Sequence, residues 1–209
     1  MPMEEYFQKA LYTFDIGHND LGAGFFGNMS FEEVNASVPN IVNTFLTDIK
    51  ATIFYSLFLP HICYSERPIG CLGYILATFP SAEKDSAGCA KSYKEVAQYF
   101  NRELKETVLQ LGKDLPSAAF TYVDVYSRFE LPHVACCGYG GMYNYSSSRV
   151  CGATITVNET QITVGSCDDP SDGIHYTEAA NKFVFERIST GAFSDPPIPL
   201  NLACHRTLG

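Results

Sequence analysis

Asp172-Gly173-Ile174-His175-Tyr176-Thr177-Glu178-Ala179-Ala180-Asn181 is the stretch on which the reading of this chain turns. A histidine three residues after an aspartate, at the mouth of a helix, is a compact way to build an oriented base. The carboxylate accepts the imidazole Nδ1–H, fixes the tautomer and leaves Nε2 free to take a proton from a nucleophile. Such pairs also arise as ordinary surface contacts, so the spacing alone carries little. It gains weight from Gly17-His18-Asn19-Asp20, near the other end of the chain. There a short β-prone run, Leu11-Tyr12-Thr13-Phe14-Asp15-Ile16, stops at Gly17, and the C-terminal end of a strand would deliver Asn19 and Asp20 to a loop. Open α/β sheets build their sites along that edge. An asparagine amide placed there can donate to a developing oxyanion; the plainer reading is an Asx-turn that closes the strand.

With 209 residues, 46% hydrophobic and 18% charged, the chain reads as one globular domain spanning 1–209 and large enough for a full core. A formal net charge of −9 with no basic run argues against nucleic acid and anionic membranes as partners, since both need clustered Lys and Arg. The longest apolar run, Ile53 to Leu59, is far too short to span a bilayer. Eight cysteines stand at 63, 71, 89, 136, 137, 151, 167 and 204, none in a C-x-x-C pair, so a zinc ribbon is disfavoured and no metal is expected. Disulfides in an oxidising compartment are the better reading. Sequons at Asn28, Asn35, Asn144 and Asn158 agree with a secreted glycoprotein. Yet Met1-Pro2-Met3-Glu4-Glu5-Tyr6-Phe7 is acidic and has no apolar signal core, so the chain is expected to begin inside a domain.

Between the two motifs the pattern alternates. Ser30-Phe31-Glu32-Glu33 is a capping box, followed by Val34, Val38, Ile41, Val42, Phe45 and Ile49 at helical spacing, with Pro39 expected to kink or divide the helix. Ile53 to Leu59 reads as a buried strand stopped by Pro60, leaving His61 and Cys63 in a loop. Tyr93, Val96, Ala97, Phe100, Leu104, Val108 and Leu111 mark the clearest amphipathic helix, from Ser92 to about Gly112. Phe120 to Tyr126 is the third strand candidate. The Gly- and Cys-rich region from Cys136 to Cys167 contains neither G-x-G-x-x-G nor G-K-[ST], so it reads as a disulfide-pinned loop and not as a phosphate cradle. Thr177 is placed to cap a last helix carrying Ala180, Phe183, Val184 and Ile188, closed by Gly191.

These residues together resemble the plant GDSL esterase/lipase family, a branch of the SGNH hydrolases. Gly17-x-Asn19-Asp20 matches the third sequence block of that family and Asp172-x-x-His175 the fifth. Pro68-Ile69-Gly70-Cys71, Ala135-Cys136-Cys137-Gly138 and His175 to Asn181 match its plant-type signatures. The resemblance implies a three-layer α/β/α, flavodoxin-like fold on a parallel five-stranded sheet, and cofactor-free ester hydrolysis by a Ser–Asp–His triad. It makes His175 the general base, Asp172 its orienter and Asn19, beside Gly17, an oxyanion donor toward a small-molecule ester substrate. Cys71–Cys89 and a link from Cys136 or Cys137 to Cys151 are the preferred disulfides.

The departures carry equal weight. No Gly-Asp-Ser and no Gly-x-Ser-x-Gly occurs in the chain, so the nucleophile block and the first strands of the implied fold are expected to be missing. Ser171 stands where the family has tryptophan, and the joins at His61–Arg67, Tyr126–Phe129 and Asp169–Asp172 look shortened. Leu11 to Ile16 is then expected to form an unpaired edge with apolar side chains facing water, and the chain to be marginally stable. Two functions follow: an ester hydrolase with little or no activity in this form, or a non-catalytic secreted glycoprotein that binds cell-wall ester or sugar ligands. Ser86 or Ser166 as a substitute nucleophile is the remaining alternative.

Overall fold

The computed structural model describes residues 10–54, 60–65, 67–116, 118–128, 132, 134–135, 138–149, 151–165, 173–176 and 178–203. In chain order these form β1 (Tyr12–Asp15), α1 (His18–Phe26), α2 (Phe31–Phe54), β2 (Pro60–Tyr64), α3 (Gly73–Thr78), α4 (Lys91–Asp114) and β3 (Ala119–Val123). A hairpin of β4 (Thr154–Val157) and β5 (Thr160–Thr163) follows, then α5 (Glu178–Thr190), β6 (Ser194–Asp195) and α6 (Leu200–Ala203). The chain divides into two compact units, one of residues 1–67, 96–128 and 186–209, the other of 68–95 and 129–185.

The first unit is built on a sheet in the order β1-β2-β3-β6. The first three strands are parallel, so each consecutive pair needs a crossover, and α2 and α4 supply them. Register places Phe14, Cys63 and Tyr122 in one row across the sheet. The Phe14 ring packs edge-on against Phe45 of α2 at 5.5 Å, and the Tyr122 hydroxyl donates to the Asn101 carbonyl of α4 at 3.5 Å. Both crossover helices therefore cover the same face. The α/β architecture expected from the sequence is present, with one addition. The two-residue β6 pairs antiparallel with β3 through Tyr122↔Asp195 and Val123↔Ser194, an edge too short to leave a periodic trace in sequence.

The capping box forms as expected: Ser30 N–H donates to Glu33 Oε2 at 2.8 Å, and Glu33 N–H donates to Ser30 Oγ at 3.2 Å. Pro39 does not divide the helix, which runs unbroken from Phe31 to Phe54. A mid-helix proline costs about 3 kcal/mol. The side chains of Val34, Val38, Val42, Phe45 and Ile49, buried on both sides of it, are worth roughly 1.5–3 kcal/mol each, and they win. The helix also takes in Ile53 and Phe54, the first two residues of the strand expected at Ile53 to Leu59. Ile53 lies four residues beyond Ile49 and continues α2, while residues 55–59 lie outside the described set. Pro60 begins β2 instead of stopping a strand, a position where its missing N–H is tolerated. His61 and Cys63, expected in a loop, are strand residues paired with Tyr12 and Phe14.

Strand β1 pairs with β2 on one side only among the described residues, as expected of an edge. Its apolar side chains do not face water, however. Tyr12 and Phe14 are half-buried while Thr13 and Asp15 are exposed, so the apolar set points to the face covered by α2. Helix α4 matches its reading at every apolar position: Tyr93, Val96, Ala97, Phe100, Leu104, Val108 and Leu111 are all buried. The exits of β2 and β3 are fastened by one side chain. Buried Ser65 donates its N–H to the Val123 carbonyl at 2.9 Å, and its Oγ accepts from Val125 N–H at 2.8 Å and Tyr126 N–H at 2.9 Å. Burial pushes the neighbouring Tyr122 phenol well above its usual range, the Asp124 charge adds to that, and a hydrogen bond with Ser65 partly offsets it.

The second unit is held by cross-links more than by a sheet. Cys71 and Cys89 form the preferred disulfide and are both fully buried. Cys151 is also disulfide-bonded; Cys136 and Cys137 lie outside the described residues. Asp85 staples the loop that leads to Cys89. Its Oδ1 accepts from Ala87 N–H at 2.9 Å and Cys89 N–H at 3.0 Å, and its Oδ2 accepts from Lys94 Nζ at 2.9 Å. The region read as a loop contains the β4–β5 hairpin, joined by Asn158 (φ 46°) and Glu159 (φ 64°). Two successive positive φ values are the I′ geometry that matches strand twist. The Thr/Ile/Val alternation of Thr154 to Thr163 was the signal for it.

Helix α5 ends as predicted at Gly191 (φ 76°), whose N–H donates to the Ile188 carbonyl at 3.0 Å. Its stripe is only partly core: Ile188 is buried, but Phe183, expected inside, is 38% exposed, so sequence spacing overstated the buried face.

Two measurements test this architecture. Ser65→Ala leaves two buried N–H groups without their acceptor and should lower the unfolding free energy by about 1–3 kcal/mol in urea titrations. Burial raises the Asp85 pKa, but the hydrogen bonds from Lys94 and the backbone amides lower it further, to a net position below 3.8. The unfolded chain then binds the proton first on acidification. The contribution of Asp85 is complete above pH of about 4 and is lost as pH falls through the folded value. Asp85→Asn should be less stable than the parent chain at pH 7, with the gap unchanged down to pH of about 4 and narrowing below it.

Candidate active site

In the first unit the C-terminal ends of the parallel strands carry Gly17, Asn19 and Asp20 after β1, Ser65 and Arg67 after β2, and Asp124 after β3. Gly17 is buried with φ 105°, and a Cβ there would come within 2.6 Å of Phe100 Cε1. Only glycine combines that backbone with that contact. Its carbonyl accepts from Leu21 N–H at 2.9 Å, and its N–H donates to Asp20 Oδ2 at 3.3 Å.

Asn19 and Asp20 are therefore not in a loop, as the sequence reading had them. They occupy the first turn of α1, because the Gly17 turn lets helical bonding begin at once and buried Leu21 anchors it. The residue that folds back on the strand end is Asp20, not Asn19. Asn19 is exposed, on a helix mouth where partial positive charge favours an anion. Arg67 Nη2 meets Asp15 Oδ2 at 3.4 Å along the same edge.

In the second unit His175 is exposed on a bend that opens at Gly173 (φ 81°). The Gly173 carbonyl accepts from Tyr74 N–H at 3.4 Å, and a Cβ at Gly173 would lie 3.0 Å from Tyr145 Cδ2. α5 starts at Glu178, and Asn181 Nδ2 donates to the Tyr176 carbonyl at 3.3 Å. Thus the base candidate stands on a short turn braced by Tyr74 and Tyr145. Asp172 and Thr177, the expected orienter and cap, lie outside the described residues, as does Ser166; Ser86 is exposed. Gly17 and Asn19 are brought together at one helix mouth, while His175 belongs to the other unit. No cluster of three or more potential metal ligands exists among the described residues.

The sequons differ in surroundings. Asn28 (φ 60°) and Asn158 are exposed in turns. Asn35 lies inside α2 with its Oδ1 buried and unbonded. The Asn144 amide is engaged at both ends, Nδ2 donating to the Ala135 carbonyl at 2.9 Å and Oδ1 accepting from Gly140 N–H at 3.2 Å. Ser65 was missed in sequence because a lone serine after a strand carries no pattern.

Parallel strands joined by helices, with a glycine-capped helix mouth at their C-terminal edge, define an α/β protein. The sequence profile of the GDSL-like lipase/acylhydrolase family matches residues 2–188, and the chain belongs to that family. It is similar to an esterase of Hevea brasiliensis, 55% identical over 99% of this chain and 57% of the relative. The GDSL esterase/lipase ENOD8 of Medicago truncatula is 53% identical over the same shares, 99% and 57%. The GDSL esterase/lipase ACHE of Zea mays is 45% identical over 98% of this chain and 57% of the relative. The chain thus spans little more than half the length of the relatives it matches. The Hevea alignment runs over 226 positions, more than the 209 residues here, so that esterase has internal residues this chain does not.

Gly17→Ala forces a left-handed backbone on a side chain and drives its methyl into Phe100. It should lower stability by at least about 1–3 kcal/mol, read as a drop in the thermal midpoint, while Asn19→Ala on the exposed turn should leave that midpoint within error.

Proposed function

We propose that the chain acts as a single hydrolase domain serving carboxylic-ester hydrolysis by Ser–Asp–His chemistry on a small-molecule substrate, without a cofactor. The observation that carries this reading is the match to an esterase at 55% identity over 99% of the chain, which includes both motif-bearing segments. In this reading His175 Nε2 takes the proton of the nucleophilic hydroxyl and returns it to the leaving alcohol. Asp172 holds the imidazole tautomer, and Asn19 Nδ2 with the N–H groups beside Gly17 stabilises the tetrahedral oxyanion. The exposed α1 mouth supports that role, because the helix dipole places partial positive charge there.

No Gly-Asp-Ser is present in these 209 residues. A constellation with one triad member absent retains only the catalysis of binding and oxyanion stabilisation, about 10³–10⁴ over water. The second reading, for these 209 residues taken by themselves, is a non-catalytic glycoprotein that binds ester or sugar ligands. An extracellular setting suits either reading. The buried Cys71–Cys89 bond persists in an oxidising compartment, and exposed Asn28 and Asn158 support glycans better than Asn35 or Asn144.

Hydrolysis of p-nitrophenyl acetate by the chain and by His175→Ala separates the two. The catalytic reading expects slow turnover above buffer that His175→Ala removes; equal background rates for both proteins would leave only the binding reading.

A further inference from the structure

We infer that an open groove in the second unit is a subsite for a carbohydrate, so that the ester served by this protein is a saccharide ester and not a long-chain lipid ester; this rests on the hydrolytic reading above. The groove holds about 590 Å³ and is walled by Tyr139, Tyr145, three consecutive serines from Ser146 to Ser148, and Arg149. Its polar side is organised. Arg149 N–H donates to the Ser146 carbonyl at 3.0 Å, closing a turn, and the Ser146 and Ser148 hydroxyls are 3.1 Å apart. The Arg149 guanidinium lies over the Tyr139 ring, 5.7 Å from its centroid, and makes no ion pair among the described residues.

The lining selects its ligand by chemistry. Hydroxyls and a guanidinium can exchange their water hydrogen bonds for those of a polyol, and a tyrosine face can take the C–H face of a sugar ring. Met142 and Ala77 also line the groove, but an alkyl chain laid along it would strip water from the serine hydroxyls and the guanidinium without replacing those hydrogen bonds. Nor is the groove remote from the candidate base. Tyr145, which lines it, is the ring packed against Gly173, two residues before His175, and it meets Tyr74 at 6.3 Å between centroids. A ligand bound there is one aromatic ring away from the turn that carries the imidazole.

The test uses the full chain and its His175→Ala form, which cannot consume the probe, with methyl 6-O-acetyl-glucoside and with decanoate, read by calorimetry and saturation-transfer NMR. We expect saturable binding of the sugar ester, weakened about tenfold or more by Arg149→Ala and measurably by Ser148→Ala, and no competing site for decanoate. Both substituted residues are exposed, so circular dichroism and the thermal midpoint should stay as in the parent chain. Sugar affinity unchanged in Arg149→Ala, no sugar binding, or preferential binding of decanoate overturns the proposal. p-Nitrophenyl acetate hydrolysis reads the base and oxyanion donors separately. Sugar binding without hydrolysis would remove the catalytic reading and keep the groove, whereas hydrolysis without sugar binding would do the reverse.

Discussion

Parallel pairing of β1, β2 and β3 is the constraint on which the first unit rests. Parallel neighbours cannot be joined by a tight turn, so every step along the sheet commits the chain to a helix that must return on one face. That commitment explains why α2 and α4 are the two longest helices and why their apolar stripes are so complete. It also brings all three strand exits to one edge, where the first helical turn after β1, the Ser65 clamp after β2 and Asp124 after β3 become neighbours in a row. The helix mouth proposed to hold an oxyanion is a by-product of that edge, since a strand that ends in a φ 105° glycine can turn straight into a helix.

The second unit obeys different physics. Its loops have few ladder bonds, so their backbone groups are satisfied by local side chains: Asp85 collects two amides and a lysine, and Asn144 bridges Gly140 and Ala135. Covalent closure between Cys71 and Cys89 limits what the unfolded loop can explore. Short helices and turns can stay ordered on such supports, which leaves polar side chains such as those of Ser146 to Arg149 free of core duty and available to a ligand.

Much of the helical content was legible because amphipathic spacing is redundant. Seven apolar positions from Tyr93 to Leu111 agree on one face, and all are buried. The misreadings share a cause, which is that a short apolar run has no period of its own. Ile53 and Phe54 look like the start of a strand until Ile49 and Phe45 are seen to continue into them. Phe183 looks like core until its surroundings are known. At the candidate site, Gly17, Asn19 and His175 were named as candidates by motif, while the bond Asp20 makes to the strand end and the Ser65 clamp left no motif, since both depend on which backbone groups end up within reach.

By itself the sequence determined the residue types that can act as base, orienter and oxyanion donor, the alternation of helix and strand, and the absence of a Gly-Asp-Ser nucleophile block, because these are local properties of spacing and composition. Only the tertiary structure decided that Pro39 is absorbed, that β2 starts at Pro60, that Asn19 sits on a helical turn, and that a hydroxyl-rich groove shares Tyr145 with the turn before His175. Those outcomes balance a local preference of a few kcal/mol against burial and hydrogen bonding by partners distant in sequence, and no window of the chain contains both sides of that balance.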